Sequence, residues 1–526
     1  MRDLLLTLGH NASAIAVEDG NLIAGYEEER LSKIKSDSHF PEKAIAELGF
    51  DDYDRVYVSH WEPFADVNKM KDKHWQPSKL PFGAEVISLN KDFTHHDAHM
   101  WSAKAFLGAD VSEMDNPYYL VVDGFGNFGE CISVYTSDGE LIHRVHGYNG
   151  SLGLMYQYAT ANIGLKMNED EYKLLGYESQ ITDKDALALE PVIAEIFQYL
   201  TTVFMCPQLE NKADPLYNIS ALVETQVMWD DLLEPCERDK VKVAYVVQSV
   251  IERMLMQIIQ KFQIHDVVLV GGCFLNVKLN YRIMERVNGK VAVMPLSGDQ
   301  GAALGLYKYH NPDFVMPKHL FWGKRKLERV EHEKVMNFDD HEEMEYWLHR
   351  LLTMDQIVNI VWGAMEFGPR ALCHTSTIAT PTMENVHYIN KLNGRATVMP
   401  MGPVVSEGFA ENNFLDYHKS LRSHEFMITA MEYHDVAPSI RGAAHNLPHG
   451  EGFTGRPQVI GSHDPLMKVM GKSLDEFGIL INTSFNIHGV PIVYDSNDVL
   501  KCVKYQDEND TADRVWTLVY TGDEHV

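Results

Sequence analysis

Residues 118–145 read YYLVVDGFGNFGECISVYTSDGELIHRV, three strand-like runs separated by a glycine-rich turn at Asp123 to Gly129 and by the pair Asp138-Gly139. β-Branched and aromatic residues bounded by Gly and Asp have the composition of a strand meander, and Asp-Gly is hairpin chemistry. The same layout opens the chain: LLLTL at 4–8, SAIAV at 13–17 and LIAGY at 22–26, with turns at Gly9 to Ala12 and at Asp19-Gly20. Two copies of one pattern predict an internally duplicated α/β fold with a ligand cleft between its halves.

Outward from these copies the pattern stays α/β. A helix is expected after Pro41, a strand at RVYVSH and a helix opening near THHDAHMWSAKAFL. A long helix from 241 leads into HDVVLVGGCFLN, a strand at KVAVMPL and the turn SGDQGAALG. The stretch 321–352 is highly charged and poor in β signals, so it reads as a connector passing into a helix, with a domain boundary near 345. Beyond it, IVNIVWGAMEFGPRALCHTSTIATP begins a second α/β unit. A chain of 526 residues is too long for one core, which agrees with that division.

Composition narrows the function. The formal charge of -29 repels a nucleic-acid backbone, so no polynucleotide partner is expected. The six cysteines form no CxxC pair, which favours free thiols in a reducing compartment. The opening MRDLLLTLGHNAS reads as a first strand, and the apolar AYVVQSVIERMLMQII is broken by Glu252 and Arg253. The expectation is a cytoplasmic protein with no membrane span. A homo-oligomer is compatible with this reading.

The residues that can carry chemistry lie at strand ends and helix starts. In His95-His96-Asp97-Ala98-His99, His95 and His99 lie one helical turn apart and can share a divalent ion, whereas His96 points elsewhere. Asp123 follows a strand directly and suits a metal, a metal-bound water or a phosphate-bound cation, or bonds its own turn. Asp299, in LSGDQGAALG, supplies a third ligand of an open site whose mixed N and O donors fit iron, manganese or zinc better than a magnesium cage. Gly271 and Gly272 let a phosphate approach a helix N-terminus or simply make a tight turn, and Asn276 is a candidate ribose or base partner. The segment is neither a Walker A nor a GxGxxG pattern, and no GxSxG is present. Arg370 in Gly368-Pro369-Arg370 can clamp a carboxylate or phosphate, and Arg395, Ser484 and Asn486 add polar groups that serve equally as turns or caps. His10, in the first strand-end turn, is a candidate general base or a turn cap, as are His96 and Asp123 for the base role. Tyr156, Tyr158 and Phe125 either stack on an acceptor ring or pack the core.

Taken in order, HHDAH, VVDGFGNFGE, SLGLMYQYAT, EYKLLG, VVLVGGCFLN, LSGDQGAALG, FGPRAL and NTSFNIHGVPIV span essentially the whole chain. In that order they resemble the carbamoyltransferase family that includes the nodulation enzyme NodU and the antibiotic-tailoring O-carbamoyltransferases. The resemblance implies a duplicated actin-like, sugar-kinase-like domain over residues 1–345 and a YrdC-like α/β domain over 346–526. It implies that carbamoyl phosphate and ATP form carbamoyl-adenylate in the second domain. The first domain then passes the carbamoyl group to a hydroxyl of a small molecule, sugar or hydroxymethylated nucleotide, releasing AMP. On this likeness His95, His99 and Asp299 bind the metal, Fe2+ ahead of Mn2+ or Zn2+, with Mg2+ accompanying ATP. Asp123 lies near metal and acceptor, and Gly271, Gly272 and Asn276 cradle the adenylate. Lys173 matches a family lysine, Arg370 stands on the carbamoyl phosphate and ATP side, and Ser484 and Asn486 fall in the NTSFN element.

Departures from the family pattern gather in the second domain. Cys373 stands for glycine and Thr375 for arginine in GPRALCHTS, and Asn393, Ala396 and Met399 stand for lysine, glutamate and arginine in NGRATVMPMGP. Val490 stands for the glutamate of a GEP element. Fewer phosphate clamps leave a catalytically silent scaffold as another reading, and the actin-like likeness leaves a kinase or phosphohydrolase, which accounts for nothing beyond residue 345.

Overall fold

The computed structural model describes residues 1–62, 66–80, 83–205, 215–395, 401–450 and 452–522. The N-terminal part is built from two sheets of one topology. The first takes β1 (Arg2–Leu8), β2 (Ser13–Glu18), β3 (Asn21–Glu27), β4 (Arg55–His60) and β5 (Glu85–Ser88) in the order β3-β2-β1-β4-β5. The second repeats it with β6 (Tyr118–Val122), β7 (Glu130–Tyr135), β8 (Leu141–His146), β9 (Val267–Val270) and β10 (Val291–Val293), in the order β8-β7-β6-β9-β10. In each, an antiparallel three-strand meander is followed by two parallel strands. The duplication expected from the Gly and Asp-Gly turns is therefore an actin-like pair.

Strand periodicity explains how the pair is packed. Tyr119, Val121, Val268 and Val270 face a core shared with Leu5, Ile15 and Tyr57 of the first sheet. Their neighbours Leu120, Val122, Val267 and Leu269 face a different core on the other side. Near-continuous Val and Leu runs are what a strand buried on both faces requires. The helices His95–Val111 and Ala302–His310 pack on each other between the two sheets.

The second part is one mixed seven-stranded sheet. Its order is Val335–Phe338, Val515–Tyr520, Ile357–Val361, Thr375–Ala379, Ile479–Ser484, Gly402–Ser406 and Gln458–Ile460. The expected boundary at 345 falls inside the helix His341–Thr353, and Val335–Phe338 already belongs to this sheet. That strand is short and lies at the edge, paired with Val515–Tyr520 from the far end of the chain, so no local signal marks it. The short strand Ser420–Leu421 crosses back and adds to the N-terminal part beside β10.

Among the described residues one helix, Asp183–Met205, meets the length and composition of a membrane span, over Asp183–Phe204. Its Ile193, Ile196 and Leu200 are fully buried in the core against the helix Lys240–Lys261. The apolar segment Ala244 to Ile259 lies within that second helix and is also core.

Candidate functional site

Because β6, β9 and β10 are parallel, their C-terminal ends meet at one edge of the sheet, the position where open α/β sheets bind ligands. β6 ends at Asp123, β9 at Gly271-Gly272, and the turn after β10 carries Asp299. The helix His95–Val111 starts at the same edge. Its first N–H groups are held by the turn after β6: Asn127 Oδ1 accepts from His95 N at 2.9 Å and Glu130 Oε2 accepts from His96 N at 2.9 Å. Asp97 accepts from both the backbone N–H and the hydroxyl of Thr94, at 2.8 and 2.9 Å. Such caps fix the helix start, and with it the direction of His95 and His99.

Four donors converge there. His95 Nε2 lies 3.0 Å from His99 Nε2, 3.2 Å from Asp123 Oδ2 and 3.3 Å from Asp299 Oδ1. His99 Nε2 lies 3.6 Å from Asp123 Oδ2 and 3.5 Å from Asp299 Oδ1. Donors on a tetrahedral ion with bonds of about 2.1 Å sit about 3.4 Å apart, so this spacing fits a four-coordinate cation. Burial pushes the imidazoles down, but Asp299 and Asp123 outweigh it, holding His95 up at about 10 and His99 above its ordinary value. Burial likewise works to raise the two carboxyls, and the imidazoles keep both far below the carboxylate range. Asp299 Oδ2 is buried without a hydrogen-bond partner. Two imidazoles and two carboxylates, one of them with its second oxygen unbonded, form a donor set that suits Fe2+, Mn2+ or Zn2+.

Asp123 and Asp299 of the cluster line a cavity of about 690 Å³ that also takes in residues of the second part of the chain. The N-terminal part contributes His10, Asp123, Asp299, Gly272 and Asn276 to its lining, and the second part contributes Arg370, Arg395, Arg456, Ser484 and Asn486. Arg395 is held by Thr483 Oγ1 at 2.6 Å, Ser484 Oγ at 3.2 Å and Asn486 Oδ1 at 2.9 Å. Arg370 donates to the carbonyl of Leu275 at 3.2 Å. Among the described residues no carboxylate pairs with any of these three guanidiniums. Burial works against their charge, drawing Arg456 down to about 10 and Arg370 and Arg395 below their ordinary values. Desolvated cations without counter-ions are offset by a bound anion, and a guanidinium fork matches phosphate.

Several expectations change. His96 is out of reach of the cavity: its Nδ1 bonds Ser133 Oγ at 2.8 Å and the ring is fully buried, so it cannot act as the base. Asp123 joins His95, His99 and Asp299 as a fourth donor that could hold a metal ion, its other oxygen accepting the Gly272 N–H at 3.1 Å, and a carboxyl held so far below its ordinary range is a weak base. That bond engages the Gly272 N–H, although Gly272 itself lines the cavity. The glycines are there for close approach: a Cβ on Gly272 would meet Asp123 Oδ1 at 2.7 Å, and on Gly271, at φ +106, the Val122 carbonyl at 2.4 Å. Asn276 lines the cavity, but its side chain caps a helix by accepting from Leu279 N at 3.0 Å and donates to Gln248 at 2.8 Å. Lys173 does not line the cavity; its ammonium pairs with Asp170 at 2.7 Å. Tyr158 is core, with its hydroxyl on the Leu222 carbonyl, whereas Tyr156 and Phe125 line the cavity.

Among the departures in the second part, Cys373, Thr375 and Asn393 do not line the chamber. Thr375 bonds the buried Glu366, Asn393 accepts from Gln506 at 2.8 Å, and Cys373, at φ +67, donates its thiol to Gln458 at 3.2 Å. Ala396 and Met399 lie outside the described residues. The sequence reading missed Arg456, whose only local sign is the Gly455-Arg456-Pro457 turn, and the helix-pinning pair Asn127 and Glu130.

Two family models match: the carbamoyltransferase N-terminus over residues 84–306 and the carbamoyltransferase C-terminus over 349–512. An uncharacterized protein of Methanocaldococcus jannaschii is 27% identical, covering 94% of both chains. The nodulation protein NolNO of Sinorhizobium fredii is 25% identical over 93% of this chain and 76% of its own. The 3'-hydroxymethylcephem-O-carbamoyltransferase of Amycolatopsis lactamdurans is 24% identical over 80% of this chain and 79% of its own. Among solved structures, component A of (R)-2-hydroxyglutaryl-CoA dehydratase from Acidaminococcus fermentans is 12% identical, with a TM-score of 0.35, over 59% of this chain and 98% of its own.

Proposed function

Since this chain belongs to the carbamoyltransferase family, we propose that it is an ATP-dependent O-carbamoyltransferase working through carbamoyl-adenylate. The observation that carries this reading is one cavity lined both by two carboxylates of the four-donor cluster, Asp123 and Asp299, and by three guanidiniums that no carboxylate pairs with among the described residues. Water cleaves carbamoyl phosphate to carbamate and phosphate. Carbamate then attacks the α-phosphate of Mg2+-bound ATP, giving carbamoyl-adenylate and pyrophosphate. The acceptor oxygen adds to the carbamoyl carbon, AMP leaves and the hydroxyl proton goes to a base.

Arg370, Arg395 and Arg456 hold the phosphates of the first stage, Arg395 being aimed by Thr483, Ser484 and Asn486. His10 borders the cavity with its Nε2 3.8 Å from Asp299 Oδ2, and it takes the acceptor proton. When bound by His95, His99, Asp123 and Asp299, the divalent ion, Fe2+ first among the candidates, supplies Lewis-acid charge for the transfer. Phe125 and Trp61, edge to face at 5.3 Å, give the metal end an aromatic wall for an acceptor that is a small molecule, sugar or hydroxymethylated nucleotide. In this reading the first domain transfers, the second activates, and the protein works in the cytoplasm.

The test incubates purified protein with ATP, carbamoyl phosphate, Fe2+ or Mn2+ and a pool of hydroxylated metabolites and nucleotides, followed by mass spectrometry. AMP formation together with a mass gain of one carbamoyl group on an acceptor is expected. Absence of pyrophosphate release that requires both ATP and carbamoyl phosphate overturns the reading.

A further inference from the structure

The segment Glu27 to Ser36 is unusually polar for one that is partly buried, and its side chains reach across to the second part of the chain. Glu27 Oε2 accepts the N–H of Gly368 at 3.1 Å, and Arg30 Nη2 donates to the carbonyl of the same residue at 3.2 Å. Both backbone polar groups of Gly368 are thus held by side chains from the first sheet's edge. Arg30 also pairs with Glu27 at 3.2 Å and with Glu366 Oε2 at 3.8 Å, all three side chains being almost fully buried. Glu366 in turn gathers the other end of the loop, accepting from the N–H groups of Leu372, His374 and Thr375 at 2.7, 3.2 and 3.0 Å. Lys33 adds an ion pair to Asp498 in the second part.

The loop so fastened, Glu366 to Thr375, is the one that carries Arg370 into the cavity. Gly368 sits at φ +115, and a Cβ there would meet Leu296 Cδ2 at 2.7 Å, so the loop is seated against the first part on a third side. None of Glu27, Arg30 and Glu366 lines the cavity. They act on it only through the loop.

We propose that Arg30, with Glu27 and Glu366, is a positioning clamp that fixes the Arg370 loop, setting the anion-binding end of the cavity in register with the metal end. The inference rests on the proposed function only for the identity of the anion. Lysine at position 30 keeps the charge but lacks the planar fork that spans Gly368 and the two carboxylates. A guanidinium displaced by about 1 Å loses most of its hold on a phosphate.

The test uses the full chain and two probes in separate calorimetric titrations, sodium pyrophosphate for the arginine end and Mn2+ for the metal end, with thermal unfolding alongside. Arg30→Lys is expected to weaken pyrophosphate binding at least about tenfold, leaving Mn2+ binding unchanged and the melting temperature near that of the wild type. Unchanged pyrophosphate binding overturns the inference, and so does parallel loss of both probes with a lowered melting temperature, which marks a purely structural role. A wild-type protein that does not bind pyrophosphate also overturns it. Should Arg30→Lys fail to fold, Glu27→Gln carries the test, since it keeps an acceptor for Gly368 and removes only the charge: weaker pyrophosphate with intact Mn2+ binding supports the clamp, and no change refutes it. A wild-type protein that shows no turnover, yet binds pyrophosphate through Arg370 and loses it in Arg30→Lys, refutes the proposed function and upholds the clamp.

Discussion

Replacing Gly272 by alanine probes the metal cluster without touching a ligand. Gly272 has an ordinary backbone conformation, so alanine brings no φ strain, but its Cβ would stand 2.7 Å from Asp123 Oδ1. To reach ordinary contact at 3.4 Å the carboxylate must retreat by about 0.7 Å. Its Oδ2 lies only 3.2 and 3.6 Å from the two histidine nitrogens, so the retreat opens one corner of the cluster. Disturbing a group that orients a metal ligand costs about 10- to 100-fold in affinity, about 1.4 to 2.7 kcal/mol. Titration calorimetry with Mn2+ on Gly272→Ala should show that loss with little change in melting temperature. Gly271→Ala, by contrast, meets the Val122 carbonyl at 2.4 Å from a left-handed backbone and should destabilise the fold itself. Wild-type Mn2+ affinity in a folded Gly272→Ala protein would refute the assignment of Asp123 as a donor.

Dialysis against a chelator should abolish carbamoyl transfer and leave phosphate release from ATP and carbamoyl phosphate in place, with transfer restored by Fe2+ or Mn2+; loss of both steps together would place the metal elsewhere in the reaction. His10→Ala should cut transfer and AMP release by about 10² to 10⁴ while pyrophosphate-releasing activation continues, as followed by product chromatography. Arg456→Ala should lower kcat/KM for carbamoyl phosphate about a hundredfold, since one phosphate-directed fork is lost. Leu269→Ala, fully buried on β9, should cost about 2 to 5 kcal/mol in chemical denaturation without altering metal affinity.

Which features could be read in one dimension follows from how local their causes are. The two meanders were legible because a strand and its turn are written in consecutive residues, as in Asp138-Gly139 after ECISVY. His95 and His99 were legible as a pair because the helical repeat brings them to one face. Asp123 was legible as a functional aspartate but not as a donor to the same ion, since its alignment depends on β6 lying parallel to β9 and on the Gly272 N–H. The strand Val335–Phe338 was hidden because its only partner comes from the end of the chain.

The sequence by itself determined the duplicated α/β framework, the family likeness and the residue types at each strand end, since all of these rest on periodicity and local turn chemistry. Tertiary structure alone decided which of these residues share a space. It turned Lys173 away from the cavity, set Asp123 beside the histidines, and brought Arg456 to the cavity that Arg370 and Arg395 also line. Those outcomes depend on contacts between residues far apart in the chain, whose geometry is fixed only when the sheets are packed and the Glu27 to Ser36 segment joins the two parts.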